Sequence, residues 1–214
     1  MNTSEFITKS SSKKIEKATF TWQTPSNIAL IKYWGKSNPQ IPKNASISFT
    51  LNNCHTTTTI DFLKKEKSSE VAFNLFFEGK KKEDFKPKIQ EFFNRIQEYC
   101  PYIFEYEMTI NSENSFPHSS GIASSASGLS AISMCLMSLE KEINPSLSKE
   151  FINRKASFIS RLGSGSASRS IEGPLVVWGE HSDIEGSSNL FGIKYPYKVP
   201  VSYTHLRAHE TRLN

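Results

Sequence analysis

The sequence has little of what membranes, secretion or structural metals require. None of its apolar runs approaches the roughly 20 residues that span a bilayer, which excludes a transmembrane helix. The opening MNTSEFITKSSSKKIEKA has no apolar centre, so it does not read as a secretory signal. Its serines and lysines predict a frayed, disordered polar leader over residues 1–17. Cysteine is scarce: Cys54, Cys100 and Cys135 lie far apart, and the adjacent Cys54 and His55 have no second pair to complete a zinc site. Sparse, odd-numbered thiols fit a reducing cytoplasm. Internal repeats are absent, and so are nucleic-acid-binding motifs. A net charge of +5 in 214 residues therefore suits an acidic partner without choosing between nucleic acid and a small phosphate ester. The lysine runs KKEK (64–67) and EGKKKED (78–84) are flanked by acids and read as solvated hairpin tips.

Along the chain, ATFTWQT (18–24) is a strand running into a turn at Pro25. SISFTL (46–51) and TTTTIDFL (56–63) are two more strands, with the intervening NNCH as a turn. VAFNLFFEG (71–79) is a fourth, which makes the early part an antiparallel sheet. From Asp84, a candidate cap, Phe85, Ile89, Phe92, Phe93, Ile96 and Cys100 recur at helical spacing, and Pro101 ends the run. YEMTINS (106–112) returns to strand. Leu129, Ile132, Leu136 and Leu139 mark a second helix, and about 147–162 a third with Gly163 as its stop. PLVVW (174–178) is a candidate buried strand. Strands first and mixed elements later predict an α+β fold. VSYTHLRAHETRLN (201–214) lacks periodicity and reads as a foreign tail, with a disordered terminus as the other reading.

Three segments carry chemistry. NSFPHSSGIASSASG (114–128) joins a strand to a helix, and its small residues let backbone N–H groups approach phosphate oxygens. It is neither a Walker loop nor a GxGxxG fingerprint, and a flexible serine linker is the plain alternative. GSGSASRS (163–170) surrounds one arginine with small hydroxyl residues, which suits a carboxylate or phosphate; a helix end with a surface arginine fits equally. PSNIALIKYWGK (25–36) gathers two lysines and a phenol suited to a diphosphate, with Trp34 read as a core aromatic.

IALIKYWGK (28–36), NASISFTL (44–51), FPHSSGIASSASG (116–128) and GSGSASRSIEGPLVVWG (163–179) together resemble the diphosphomevalonate decarboxylases of the GHMP kinase superfamily, over residues 18–198. The superfamily's kinases usually read GLGSSA where this chain has GIASSA, with Ala123 in place of a glycine.

The resemblance implies a GHMP N-terminal domain over 18–200, a ribosomal-protein-like sheet with packed helices, and a C-terminal domain largely missing. It implies ATP-dependent conversion of mevalonate diphosphate to isopentenyl diphosphate, ADP, phosphate and carbon dioxide, with ATP and Mg2+ as cofactors. It further implies a cytoplasmic homodimer with neither membrane nor nucleic-acid partners. Ser119, Ser120, Gly121, Ser124 and Ser125 would line the ATP phosphates, with Ser125 on Mg2+. Tyr33 and Lys36, with Lys32 nearby, would hold the substrate diphosphate. Ser164, Ser166 and Arg169 would meet the substrate, Arg169 at its carboxylate, and Asn44, Ser46 and Ser48 would line the adjoining wall. The role of His118 stays open. Relatives carry a catalytic aspartate in a later Asp-Ala-Gly-like segment that has no counterpart here, and Asp183 does not fill it. Negligible turnover and exposed apolar surface are therefore expected of the chain as written. The rival readings are a GHMP-type kinase that releases ADP without carbon dioxide, a non-catalytic nucleotide or diphosphate binder, and a nucleic-acid binder.

Overall fold

A computed structural model describes residues 2–9, 13–117 and 121–198. His118, Ser119, Ser120 and the tail at 201–214 lie outside the described residues.

One long strand organises the sheet. β1 (Lys17–Ile31) runs antiparallel to β4 (Ser46–Lys64), from Lys17↔Leu63 to Ile31↔Ile47. The far edge of β4 is shared: its C-terminal half pairs β7 (Tyr106–Asn114) and its N-terminal end pairs β8 (Leu175–Trp178), which in turn pairs β9 (Gly192–Lys194). β5 (Ala72–Phe77) lies on β7, with β6 (Lys80–Lys81) outermost. A separate hairpin joins β2 (Lys36–Ser37) to β3 (Ile41–Pro42).

The turn predicted at NNCH does not form. β4 runs through it, and the register jumps from Pro25↔His55 to Ser26↔Leu51, leaving Asn52, Asn53 and Cys54 without partners on β1. Proline has no N–H for the ladder, so the extra residues are absorbed as a bulge opposite Pro25. Nor is the early sheet wholly antiparallel: β5 pairs β7 in parallel, through the crossover that carries α1 (Lys86–Ile96). A parallel neighbour needs such a long connection. Lys64 thus ends β4 and residues 65–67 are a loop past β7 rather than a hairpin tip, whereas Glu78 and Gly79, at φ 51° and 74°, form a two-residue hairpin turn between β5 and β6.

Alternation along β4 puts Thr56, Thr58, Ile60 and Phe62 on the covered face and leaves Leu63 exposed on the other. α2 (Ser124–Ile143) packs on β1 and β4, and α3 (Lys149–Gly163) packs on α2 and α1. Between sheet and α3, α2 is buried well beyond its predicted leucine stripe, including Ser127, Ser130 and Ser133. Phe92, Phe93 and Ile96 of α1 are buried as predicted, each contributing about 1.5–3 kcal/mol. Asp84 does not cap α1; Phe85 precedes the helix, with no side-chain bond. Gly163 ends α3 for reasons of space, since a Cβ there would stand 2.7 Å from Phe92 and 2.9 Å from Leu129.

Residues 2–9 depart furthest from expectation. Phe6 is fully buried and stacks on Phe158 at 4.3 Å, and Thr8 bonds the Tyr99 carbonyl through both its N–H and its hydroxyl. A single phenylalanine among polar residues has no pattern to reveal it. Beneath this strap, Lys155 is wholly buried and donates to Glu140, Thr8 and the Tyr99 carbonyl at 2.8, 2.8 and 2.9 Å.

Among the described residues no helix is long and apolar enough to cross a membrane. The three cysteines are free; burial pushes the Cys100 and Cys135 thiols up to about 12. A raised folded value means the stability is present below the unfolded thiol's range and is lost as pH climbs toward 12. Each thiol therefore removes up to about 1.4 kcal/mol per pH unit above 9. Urea melts between pH 8 and 11 should show this fall, and Cys100→Ala and Cys135→Ala should each flatten it. An unchanged slope in both variants would contradict the assignment.

Candidate functional site

Two groups of side chains meet at the Pro25–Ser26 break in β1. The first surrounds the start of α2. Gly121 and Ala123 adopt left-handed backbone, at φ 78° and 44°, which turns the chain sharply into the helix. Ala123 carries a Cβ, so its left-handed backbone costs roughly 1–2 kcal/mol that the surrounding structure must offset. Among the described residues no side chain caps α2; the Ala126 N–H bonds the Ala123 carbonyl at 2.8 Å, and the positive end of a 20-residue helix dipole, favourable to an anion, lies at this turn. Ser125 is exposed and accepts a 2.9 Å bond from Lys88 of α1.

Beside this terminus lies a cavity of about 220 Å³ between α1, α2 and the sheet. Leu75, Phe77, Phe85 and Ile89 make its apolar wall, while Asn114, Ser124, Ser125 and Lys88 supply polar groups. Thr56 donates to the Asn114 side-chain oxygen at 2.7 Å, and among the described residues the buried Asn114 amide nitrogen has no hydrogen-bond partner. An apolar cavity with a few hydrogen-bonding groups therefore opens beside the N-terminal end of a long helix, where an anion is favoured.

The second group surrounds Arg169, at the end of the short Gly165–Arg169 turn after α3. Arg169 is 2% exposed, so the surface-arginine reading fails. It donates to Ser46 Oγ at 2.9 Å, and Ser46 in turn donates to the Ile31 carbonyl at 2.5 Å. Its cation lies 5.7 Å from the Tyr33 ring and 5.6 Å from the Trp178 ring. Burial pushes its guanidinium down to about 10, with the Tyr33 phenol opposing, so it stays charged at neutral pH. Among the described residues its Nε has no hydrogen-bond partner, and neither does the buried hydroxyl of Ser48. An uncompensated buried cation of this kind is costly unless an anion completes it.

The lysine loop closes over this group. Tyr33 packs edge-on against Trp178 at 5.0 Å, and the Lys36 ammonium sits 5.7 Å from the Tyr33 ring and bonds Gln40. Asn44 accepts from the Trp34 N–H at 2.6 Å and donates to the Lys32 carbonyl at 3.1 Å, so its part is to hold the loop backbone. Ser164 and Ser166 meet at 3.2 Å beside the arginine turn. Lys32 is exposed. Trp34 is not a core aromatic: it is 82% exposed, alongside Leu30 at 55% and Ile31 at 53%. The buried indole is Trp178, whose ring lies where a Cβ on Gly165 would come within 2.6 Å.

Two residues of β1 that lie inside the 25–36 segment, with no role assigned to them there, hold the groups together. Ser26 donates to the Ile122 carbonyl in the loop before α2. Asn27 donates to the Ser166 carbonyl at 3.0 Å and to Ser170 at 2.8 Å. Lys88, Phe77 and Phe85 carried no site role in the sequence, since they lie on elements that read as plain helix and strand, and Asn114 opened the 114–128 segment without a role of its own. The only available signal was that Ser26 and Asn27 sit in the block that precedes the lysines.

A mixed sheet with its helices on one face, and a small-residue loop entering the central helix, is the N-terminal architecture of the GHMP-kinase class. Residues 24–189 match the model of the diphosphomevalonate decarboxylase-like N-terminal domain, and the chain belongs to that family. It is 32% identical over 175 residues to the diphosphomevalonate decarboxylase of Debaryomyces hansenii, covering 77% of this chain and 43% of that protein. To the Bos taurus protein of the same name it is 30% identical over 181 residues, covering 76% and 42%. Among solved structures, the mevalonate diphosphate decarboxylase from Enterococcus faecalis superposes with a TM-score of 0.64 at 34% identity, over 84% of this chain and 52% of that one. A structure of MDDEF in complex with MVAPP, AMPPCP and magnesium gives 0.64 at 33%, covering 84% and 51%. The chain thus spans under half the length of the curated relatives it matches.

Proposed function

We propose that this chain forms the nucleotide- and substrate-binding part of an ATP-dependent decarboxylase that converts mevalonate 5-diphosphate to isopentenyl diphosphate, ADP, phosphate and carbon dioxide. The observation that carries the reading is Arg169, buried, charged and left with an unpartnered Nε beside an unpartnered Ser48 hydroxyl. In this reading Arg169 fixes the substrate carboxylate through its planar fork. Tyr33 and Lys36, with Lys32 nearby, bind the diphosphate, and Ser164 and Ser166 line the substrate between the two charged ends. Asn44 keeps the lysine loop in place, and Ser46 and Ser48 form the adjoining wall.

The nucleotide lies in the cavity beside α2, with its phosphates on Gly121, Ser124 and Ser125; Ser119 and Ser120 belong to the same loop. Ser125 would hold magnesium, and Lys88 would neutralise phosphate charge. MgATP bound there supplies the phosphoryl group that turns the tertiary 3-hydroxyl into a good leaving group. The chain's own contribution is to orient both molecules and neutralise their charge in a site screened from water. Three free thiols fit a cytoplasmic protein.

Thermal melts with mevalonate, mevalonate diphosphate and MgATP test this reading. Mevalonate diphosphate and MgATP should each stabilise the fold, and mevalonate far less. Ser125→Ala should weaken MgATP about tenfold while leaving mevalonate diphosphate within twofold. Equal stabilisation by mevalonate and its diphosphate, or none by either nucleotide or substrate at millimolar concentration, would refute it.

A further inference from the structure

We propose that Arg161 of α3 is the positioning residue for the Lys36 arm of the diphosphate pocket, an inference that rests on the reading of Lys36 given above. Arg161 is 1% exposed and belongs to neither group of site residues. Among the described residues no carboxylate pairs with it. Its guanidinium is spent on main-chain carbonyls: Nη1 donates to Pro39 at 2.6 Å and to Gln40 at 3.0 Å, and Nε to Leu190 at 2.7 Å. Its cation also lies 5.2 Å from the Phe158 ring.

Burying a guanidinium without an anion is expensive, and an apolar side chain would fill the same space at lower cost. What a rigid fork adds is geometry, because it holds several acceptors in one fixed arrangement. Pro39 and Gln40 are the tip of the hairpin between β2 and β3, and Gln40 has left-handed backbone at φ 57°. This hairpin pairs only Lys36 with Pro42 and Ser37 with Ile41, too little to fix its own position. Lys36 returns across it to bond the Gln40 side chain at 2.5 Å. The chain of contacts therefore runs from α3 through Arg161 to the tip carbonyls, and from Gln40 to the Lys36 ammonium.

The same helix holds the other end of the site. Ser157, one turn before Arg161, donates to the Ser168 carbonyl at 2.7 Å and accepts from the Gly192 N–H at 2.8 Å, which secures the turn carrying Arg169. One rigid helix thus sets the spacing between the cation for the carboxylate and the cation for the diphosphate. A purely structural Arg161 would affect both ligands alike. A positioning one affects the ligand that Lys36 touches.

The test is a binding cycle on the 214-residue chain, measuring mevalonate diphosphate and MgATP by calorimetry for Arg161→Lys, Lys36→Met and the double variant. Arg161→Lys should weaken mevalonate diphosphate about tenfold and leave MgATP within twofold. In the Lys36→Met background it should add less than about twofold, because the two act through one contact. Gln40→Ala, which removes the Lys36 contact without touching α3, should show the same selective loss and serves if Arg161→Lys does not fold. Equal weakening of both ligands, full additivity with Lys36→Met, or unchanged mevalonate diphosphate binding with Lys36→Met impaired would each overturn the proposal alone. Unchanged binding in Lys36→Met itself would overturn the reading of Lys36, and the proposal with it.

Discussion

Arg169→Met is expected to weaken mevalonate diphosphate binding by at least about 30-fold while leaving the melting temperature unchanged or slightly raised. The two halves of this expectation have different causes. A truncated partner in a buried charge pair typically costs 2–5 kcal/mol of binding, or roughly 30-fold to several thousandfold. Among the described residues, however, no carboxylate pairs with Arg169, and burial pulls its guanidinium toward the neutral form. Removing an uncompensated buried cation spares the fold that cost. Methionine keeps an apolar stem against the Tyr33 and Trp178 rings, and Ser46 keeps its bond to the Ile31 carbonyl. Arg169→Lys retains charge without the fork and should fall between the two. Calorimetry and thermal melts on one set of samples settle the matter. Affinity within threefold of the parent would remove Arg169 from the substrate site.

The largest loss of stability is expected from Lys155→Met. Lys155 and Glu140 are paired at 2.8 Å, with side-chain exposures of 0% and 2%. Deleting the ammonium strands a buried carboxylate and frees the Thr8 hydroxyl and the Tyr99 carbonyl that hold the N-terminal strap. The cost should be about 3–5 kcal/mol, a fall in melting temperature of roughly 6–20 °C. Glu140→Met in the same chain should return most of it, since an apolar pair leaves no buried charge. The deficit should also depend on pH. Burial already pushes the Glu140 carboxyl up, and Lys155 pulls it back. Without Lys155 the carboxyl rises further. A carboxyl raised by folding favours the fold at acid pH and opposes it once deprotonated, so Lys155→Met should be closest to the parent near pH 5 and furthest from it above neutrality. A deficit under 1 kcal/mol at neutral pH, or one that grows toward acid, would refute the account.

Local pattern made much of this molecule legible. The stripe of Phe92, Phe93 and Ile96, the run Leu175–Trp178 and the helices around Leu136 and Ile159 fell where period and composition put them. The segments carrying Arg169, Lys36 and Ser125 were legible too, because small residues around one charge are conspicuous in any context. The strap was not legible. Phe6 becomes core only because Phe158, more than 150 positions away, offers it a ring. Trp34, expected in the core, is exposed, whereas Trp178 is buried with the run that carries it: aromatic character says that a residue can be buried, and the partner strand decides which one is.

The sequence by itself determined most of the elements and the family, since these follow from neighbours a few residues apart. Only the tertiary structure decided that β4 would run unbroken opposite Pro25, that Asn27 would bond the turn carrying Arg169, and that Arg161 would hold the hairpin of Lys36. Those contacts join residues about 120 to 140 positions apart, or turn on which strands lie side by side. No local period records such pairings; they exist once the sheet and α3 have closed the distance.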